Sequence, residues 1–155
     1  MGDKEKNYFK YMNLCIHIAH QSSRGICKPH VGVLITSPDR EVLGTGYKKL
    51  DSTGFLRHAE RVAIEDALLR PGRIKGSHLY TTLEPRCCEL IIEHGIAKVV
   101  IGLIDRSVLD HGGVGYLRRH GVLVDIFSDL RHKIIDELMP EGFVPIPFNL
   151  YPPPR

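Results

Sequence analysis

Residues 98 to 104 read KVVIGLI, a run that is apolar almost throughout. A strand with one wet face alternates apolar and polar residues. A run this continuous predicts a strand covered on both faces, the hallmark of parallel pairing under flanking helices. Its surroundings agree. Ser77 to Leu83 predicts a strand, and Cys87 to His94 a short helix stopped by Gly95. Beyond the apolar run, Tyr116 to His120 predicts a brief helix ended by Gly121, Val122 to Phe127 a further strand, and Leu130 to Leu138 a last helix. Strand–helix–strand alternation of this kind implies right-handed crossovers and parallel strands.

The first half reads differently. Residues 8–21 place Met12, Cys15, Ile16 and Ala19 at three- and four-residue spacing, which predicts an amphipathic helix broken by Gly25 and Pro29. Val31 to Ile35 and Glu41 to Tyr47 predict two strands joined by the turn-forming Ser37-Pro38-Asp39-Arg40, a hairpin. Residues 48–56 are polar, contain Gly54 and read as a loop. His58 to Leu69 predicts a helix whose apolar face carries Ala59, Val62, Ala63 and Ala67, ended at Pro71-Gly72. The expected fold is α/β: a three-layer α/β/α sandwich around a mixed five-stranded sheet. Residues 1–139 are expected to form one domain and residues 140–155 a Pro-rich tail of extended or polyproline-like chain.

A chain of 155 residues is enough for one domain with a single core. Its formal net charge of +3 is too small to predict nucleic-acid binding. Basic clusters such as Arg118-Arg119 and Arg131 to Lys133 read as solvated helix faces. No stretch has the ~18 apolar residues that a membrane span needs. The charged start, Met1-Gly2-Asp3-Lys4-Glu5-Lys6, lacks the apolar region of a secretory signal. A cytoplasmic location is therefore expected. The four cysteines read as metal ligands or buried small apolar groups rather than disulfides. Cys15 and Cys27 read as structural.

Two segments carry chemistry. His58-Ala59-Glu60 opens a helix behind a polar loop, where a histidine can present a ring nitrogen to a metal and the glutamate can reach a metal-bound water. It is the H-x-E half of a deaminase signature. Alone it is weak, since an acid near a helix N-terminus is ordinary. The second segment, Thr81-Thr82-Leu83-Glu84-Pro85, ends a predicted strand and runs at once into Cys87-Cys88-Glu89-Leu90-Ile91-Ile92. With Pro29-His30-Val31-Gly32 before the first strand, and the stretch from Gly95 to Ile101, these motifs make the chain resemble the cytidine deaminase superfamily over residues 8–127. The resemblance is to the riboflavin-pathway pyrimidine deaminase domain and its single-domain relatives.

That resemblance implies a zinc-dependent hydrolytic deaminase of a small amino-heterocycle, nucleoside or nucleotide. His58 would be a zinc ligand and Glu60 the proton shuttle. In that family one histidine and two cysteines hold Zn2+, the first cysteine directly after the proline. Here Arg86 follows Pro85, and Cys87 matches the second family cysteine. Three arrangements stay open: His58 with both Cys87 and Cys88; His58 and Cys87 with another donor such as Glu84 or water; or no metal. His30 falls in the substrate-facing loop of the family, beside Lys28, which stands where the riboflavin-type enzymes have Asn. Asp105 and Arg106, followed by Gly112, Gly113 and Gly115, fall where those relatives border a ribose-phosphate site. A plain connecting loop fits these residues equally well. The resemblance also implies a homodimer or larger oligomer. A nucleic-acid base deaminase ranks lower, because the chain has no Trp and few aromatic residues. A non-enzymatic binding or scaffold protein is the remaining alternative.

Overall fold

A computed structural model describes residues 2–22, 25–70, 73–105 and 113–145. Helix α1 (Asp3–Ala19) starts five residues before the apolar spacing does. Asp3 and Glu5 lie in its first turn, where carboxylates complement the exposed backbone N–H groups. Strands β1 (Gly32–Thr36) and β2 (Val42–Tyr47) form the expected antiparallel hairpin. After helix α2 (Ala59–Leu68) come β5 (His78–Thr81), α3 (Cys88–Glu93), β6 (Lys98–Ile101), α4 (Gly113–Arg119) and β7 (Leu123–Ile126). A 3-10 turn over Ser128–Leu130 leads into α5 (Arg131–Leu138).

One expectation is corrected. Residues 48–56 are not simply a loop, for β3 (Lys49–Leu50) and β4 (Leu56–Arg57) pair antiparallel in a small second sheet. The Asp51 carboxylate closes this hairpin, accepting the Thr53 and Phe55 N–H groups at 2.8 and 3.0 Å. Asp side chains favour such turns, but the two-residue strands are too short to show a period.

The main sheet has the order β2-β1-β5-β6-β7. β1 pairs antiparallel with both β2 and β5, while β5, β6 and β7 run parallel. The sheet is thus mixed and five-stranded, and helices cover both of its faces. Gly32 of β1 lies against the backbone of α1, where an added Cβ would sit 1.9 Å from the Cys15 carbonyl oxygen. Gly44 and Gly46 of β2 lie against the backbone of α2. α5 contacts α1, and α3 contacts α4. The predicted two-faced burial of the apolar run is observed: Val99, Val100, Ile101 and Leu103 are wholly buried. The strand itself ends at Ile101. Gly102 then passes so close to the ends of the Ile134 and Met12 side chains, and to the Thr82 carbonyl, that an added Cβ would force them to shift. None of the described helices is long and apolar enough to cross a membrane. Arg106 and the end of the tail, residues 146–155, lie outside the described residues.

Candidate active site

The site is built where two chain segments meet at the ends of β5 and β6. The first is the start of α2. His58 is its N-cap, held in extended conformation (φ −70°, ψ 146°), and its side chain is exposed. Glu60 sits in the first turn and is only 4% exposed. Its carboxylate is oriented by the main chain of the second segment, for the Arg86 N–H donates to Glu60 Oε1 at 2.8 Å.

That second segment leaves β5 through Thr82, Leu83 and Glu84. The Glu84 N–H donates to the Leu103 carbonyl at 2.8 Å, so the chain stays tied to the end of β6. The Glu84 side chain points inward. Oε1 accepts the Asp105 N–H at 3.2 Å, and Oε2 accepts the Val114 N–H at 3.0 Å. Burial pushes its carboxyl above the usual range, with Asp105 adding to the rise and the amide donors opposing it. α4 can start this close only because its first residue is Gly113, where a Cβ would lie 2.8 Å from the Pro85 carbonyl oxygen. Asp105 is buried and accepts from the Arg86 guanidinium, Nη2 to Oδ2, at 3.0 Å.

The cysteines follow. Cys87 is the N-cap of α3 and is half-buried, while Cys88 is buried in its first turn. The Cys88 thiol donates to the Pro85 carbonyl at 3.4 Å, with the Gly113 carbonyl at 3.9 Å. Burial, then the charge of Glu60, pushes the Cys87 thiol up to about 11 against the opposing Arg61. Burial and the carboxylates of Glu60 and Glu84 push Cys88 up to about 12.

Two cavities open here. One, of about 220 Å³, has apolar walls from Pro29, Val31, Leu56 and Leu83 and polar groups from Lys48, His58, Glu60, Glu84 and Arg86. The other, of about 570 Å³, is lined by Arg61, Pro85, Arg86, Cys87, Cys88, Gly113 and Tyr116 among others. His58 and Glu60 therefore share one cavity, the two cysteines line the next, and Arg86 borders both.

Lys28 is exposed, and neither it nor His30 lines the first cavity. The His30 ring turns to the Ile26 carbonyl, 3.1 Å away, and its N–H donates to the Leu138 carbonyl at 2.8 Å. Pro29 between them does line it. Sequence reading missed Lys48, Leu56 and the double role of Arg86. Lys48 directly follows β2, at the sheet end that His58 also approaches, and this was the available signal. Burial holds its ammonium below the usual range, and Arg86 adds to the depression while Cys27 opposes it.

All four cysteines are free of disulfides. The thiol of Cys15, wholly buried, donates to the Tyr80 carbonyl at 3.4 Å, which is the structural place expected for it. A zinc site needs three or four donors about 2.0–2.3 Å from one point. Among the described residues no three His, Cys, Asp or Glu side chains converge in that way. Both Glu84 oxygens accept backbone N–H groups, and Cys88 points at carbonyl oxygens. As they stand, these residues do not fit a zinc ion.

Comparison with known proteins agrees with this architecture. Residues 5–103 match the family model of the cytidine and deoxycytidylate deaminase zinc-binding region, and the chain belongs to that family. It is 35% identical over 108 residues to the diaminohydroxyphosphoribosylamino-pyrimidine deaminase of Buchnera aphidicola subsp. Schizaphis graminum, covering 63% of this chain and 68% of that protein. It is 33% identical over 126 residues to riboflavin biosynthesis protein RibD of Buchnera aphidicola subsp. Baizongia pistaciae, covering 75% of this chain. The match spans 32% of that RibD, about a third of its length. Among solved structures, the diaminohydroxyphosphoribosylaminopyrimidine deaminase/5-amino-6-(5-phosphoribosylamino)uracil reductase of Thermotoga maritima superposes with a TM-score of 0.71 at 29% identity. That superposition covers 87% of this chain and 40% of the other.

Proposed function

We propose that this chain is a hydrolytic deaminase of a small pyrimidine-type amino-heterocycle, bound in the cavity beside His58 and Glu60. The observation that carries the reading is Glu60: a buried carboxylate, aimed by the Arg86 N–H, lining a cavity of about 220 Å³. Apolar walls from Val31, Leu56 and Leu83 suit the faces of one aromatic ring, and a few polar groups line the same cavity, as in ligand sites generally.

The chemistry asked of the chain is proton transfer. Water adds through its oxygen to the ring carbon that bears the exocyclic amine. Glu60 takes the water proton and passes it to the adjacent ring nitrogen. It then moves the hydroxyl proton of the adduct to the amine, the C–N bond breaks, and a ring carbonyl and ammonia result. A fixed carboxylate suits this relay, because one oxygen is anchored by a main-chain donor that any residue but Pro at position 86 would supply. In this reading His58, which lines the same cavity, orients the incoming water. The nucleotide and pyrimidine substrates named for the relatives define the panel of candidates, and a homodimer is part of the same proposal.

The test is ammonia release from cytosine, cytidine, dCMP and phosphoribosylated diaminopyrimidine, with and without added zinc salt. Turnover of at least one, reduced ~10²–10⁴-fold in Glu60→Gln, is expected. No ammonia from any of them under either condition would overturn the reading. A second reading, ligand binding without turnover, is favoured by the described residues, among which no three His, Cys, Asp or Glu side chains group as metal ligands would. It predicts calorimetric binding of the same panel with no product.

A further inference from the structure

We infer that zinc is not a resident ion of this chain, because Arg86 stands where a metal centre would need a third donor. The inference rests on membership of the family whose matched region is described as zinc-binding, and not on turnover.

Arg86 is fixed at both ends. Its main-chain N–H holds Glu60 Oε1 at 2.8 Å, and its guanidinium holds Asp105 Oδ2 at 3.0 Å. Asp105 is buried, and its own N–H is bound to Glu84. The arginine, its side chain half-exposed, lines both the cavity of His58 and the cavity of Cys87 and Cys88. A guanidinium has donors only and stays charged, so it can neither ligate a cation nor sit comfortably beside one.

The other potential donors are committed elsewhere. Glu84 accepts two backbone N–H groups through its two oxygens. Turning it toward a metal would strand both amides in a buried setting. The Cys88 thiol donates to the Pro85 carbonyl at 3.4 Å and lies 3.9 Å from the Gly113 carbonyl, so it is turned to main-chain oxygens. Among the described residues at the site, His58 and Cys87 remain. Two protein ligands are fewer than catalytic zinc sites use, and a two-ligand ion exchanges with solvent.

The measurement is zinc per chain by elemental analysis, on protein purified without chelators and passed through gel filtration. On the order of 0.1 zinc per chain or less is expected, and the thermal midpoint should not move with added zinc or with EDTA. About one zinc per chain surviving gel filtration, or a midpoint lowered by EDTA, would overturn the inference. Arg86→Cys replaces the cation by a thiol and keeps the N–H to Glu60. It should raise retained zinc several-fold, whereas Arg86→Ala should not. Equal gains in the two variants, or none in Arg86→Cys, would overturn the role given to Arg86. None of these readouts uses ammonia, so the inference and the proposed deamination fail separately.

Discussion

Gly46→Ala tests how the fold positions Glu60. Gly46 lies in β2 opposite Val33, facing the backbone of α2. A Cβ there would sit 2.4 Å from both the Ala59 carbonyl oxygen and the Ala63 nitrogen. That is about 1 Å short of ordinary van der Waals contact. The atoms met are backbone, so no rotamer change relieves the clash, and either α2 lifts or β2 bends. Gly46 has no left-handed φ, so the cost is steric and not conformational. Overpacking of this kind costs ~1–3 kcal/mol or more. For a domain this size it should lower the urea midpoint by roughly 1 M. The same displacement moves Glu60, which adjoins Ala59. Its 2.8 Å bond from the Arg86 N–H would leave hydrogen-bonding range. A shift of about 1 Å in a catalytic group can cost ~10²-fold in rate. Gly44→Ala is the control. Its clash falls one turn along, with Ala63 and Ala67 at 2.6 and 2.7 Å, away from Glu60. Both variants should lose similar stability in urea unfolding, and Gly46→Ala should lose the greater share of turnover or ligand affinity. A Gly46→Ala protein within about 0.5 kcal/mol of the parent would refute the close α2–β2 contact.

Other perturbations probe the supports of the site and the sheet. Glu84→Ala would strand the buried Asp105 and Val114 amides, at ~1–3 kcal/mol each, and Glu84→Gln, which keeps one acceptor, should lose clearly less in chemical denaturation. Tyr8 bridges the edge of the sheet, donating to Asp125 at 2.6 Å and accepting from Lys98 at 2.8 Å. Tyr8→Phe should therefore cost about 1 kcal/mol in thermal unfolding. Burial raises the Asp125 carboxyl, but the Tyr8 hydroxyl and the Lys4 and Lys98 charges outweigh it and hold the group below its ordinary range. A depressed carboxyl contributes stability above its unfolded value and loses it as pH falls through the folded one. Stability should thus drop below about pH 4, and Asp125→Asn should flatten that part of the curve in acid titrations followed by circular dichroism.

The class of fold was legible in the chain's own pattern. The KVVIGLI run and the strand–helix alternation around it required a parallel, two-sided sheet, because burial on both faces erases the period of two. It also placed His58 and Glu60 at a helix start, and marked the segment from Thr82 to Cys88 as their counterpart. What it could not decide depends on residues distant in the chain. Local pattern reports neighbours two to four positions away, whereas Arg86 reaches Glu60 across 26 residues and Val114 reaches Glu84 across 30. The Lys48 N–H bond to the Val31 carbonyl and the small β3–β4 sheet carry Lys48 and Leu56 to the cavity, although neither shows any local mark of a site residue. That His58 and the cysteines line different cavities was equally invisible. Cys87 matched a family ligand and Cys88 stayed open as one until the carbonyls of Pro85 and of Gly113, the first residue of α4, received its thiol, and the ion pair with Asp105 set the guanidinium of Arg86. Only tertiary packing sets where a side chain points, and at this site that direction decides which donors can meet.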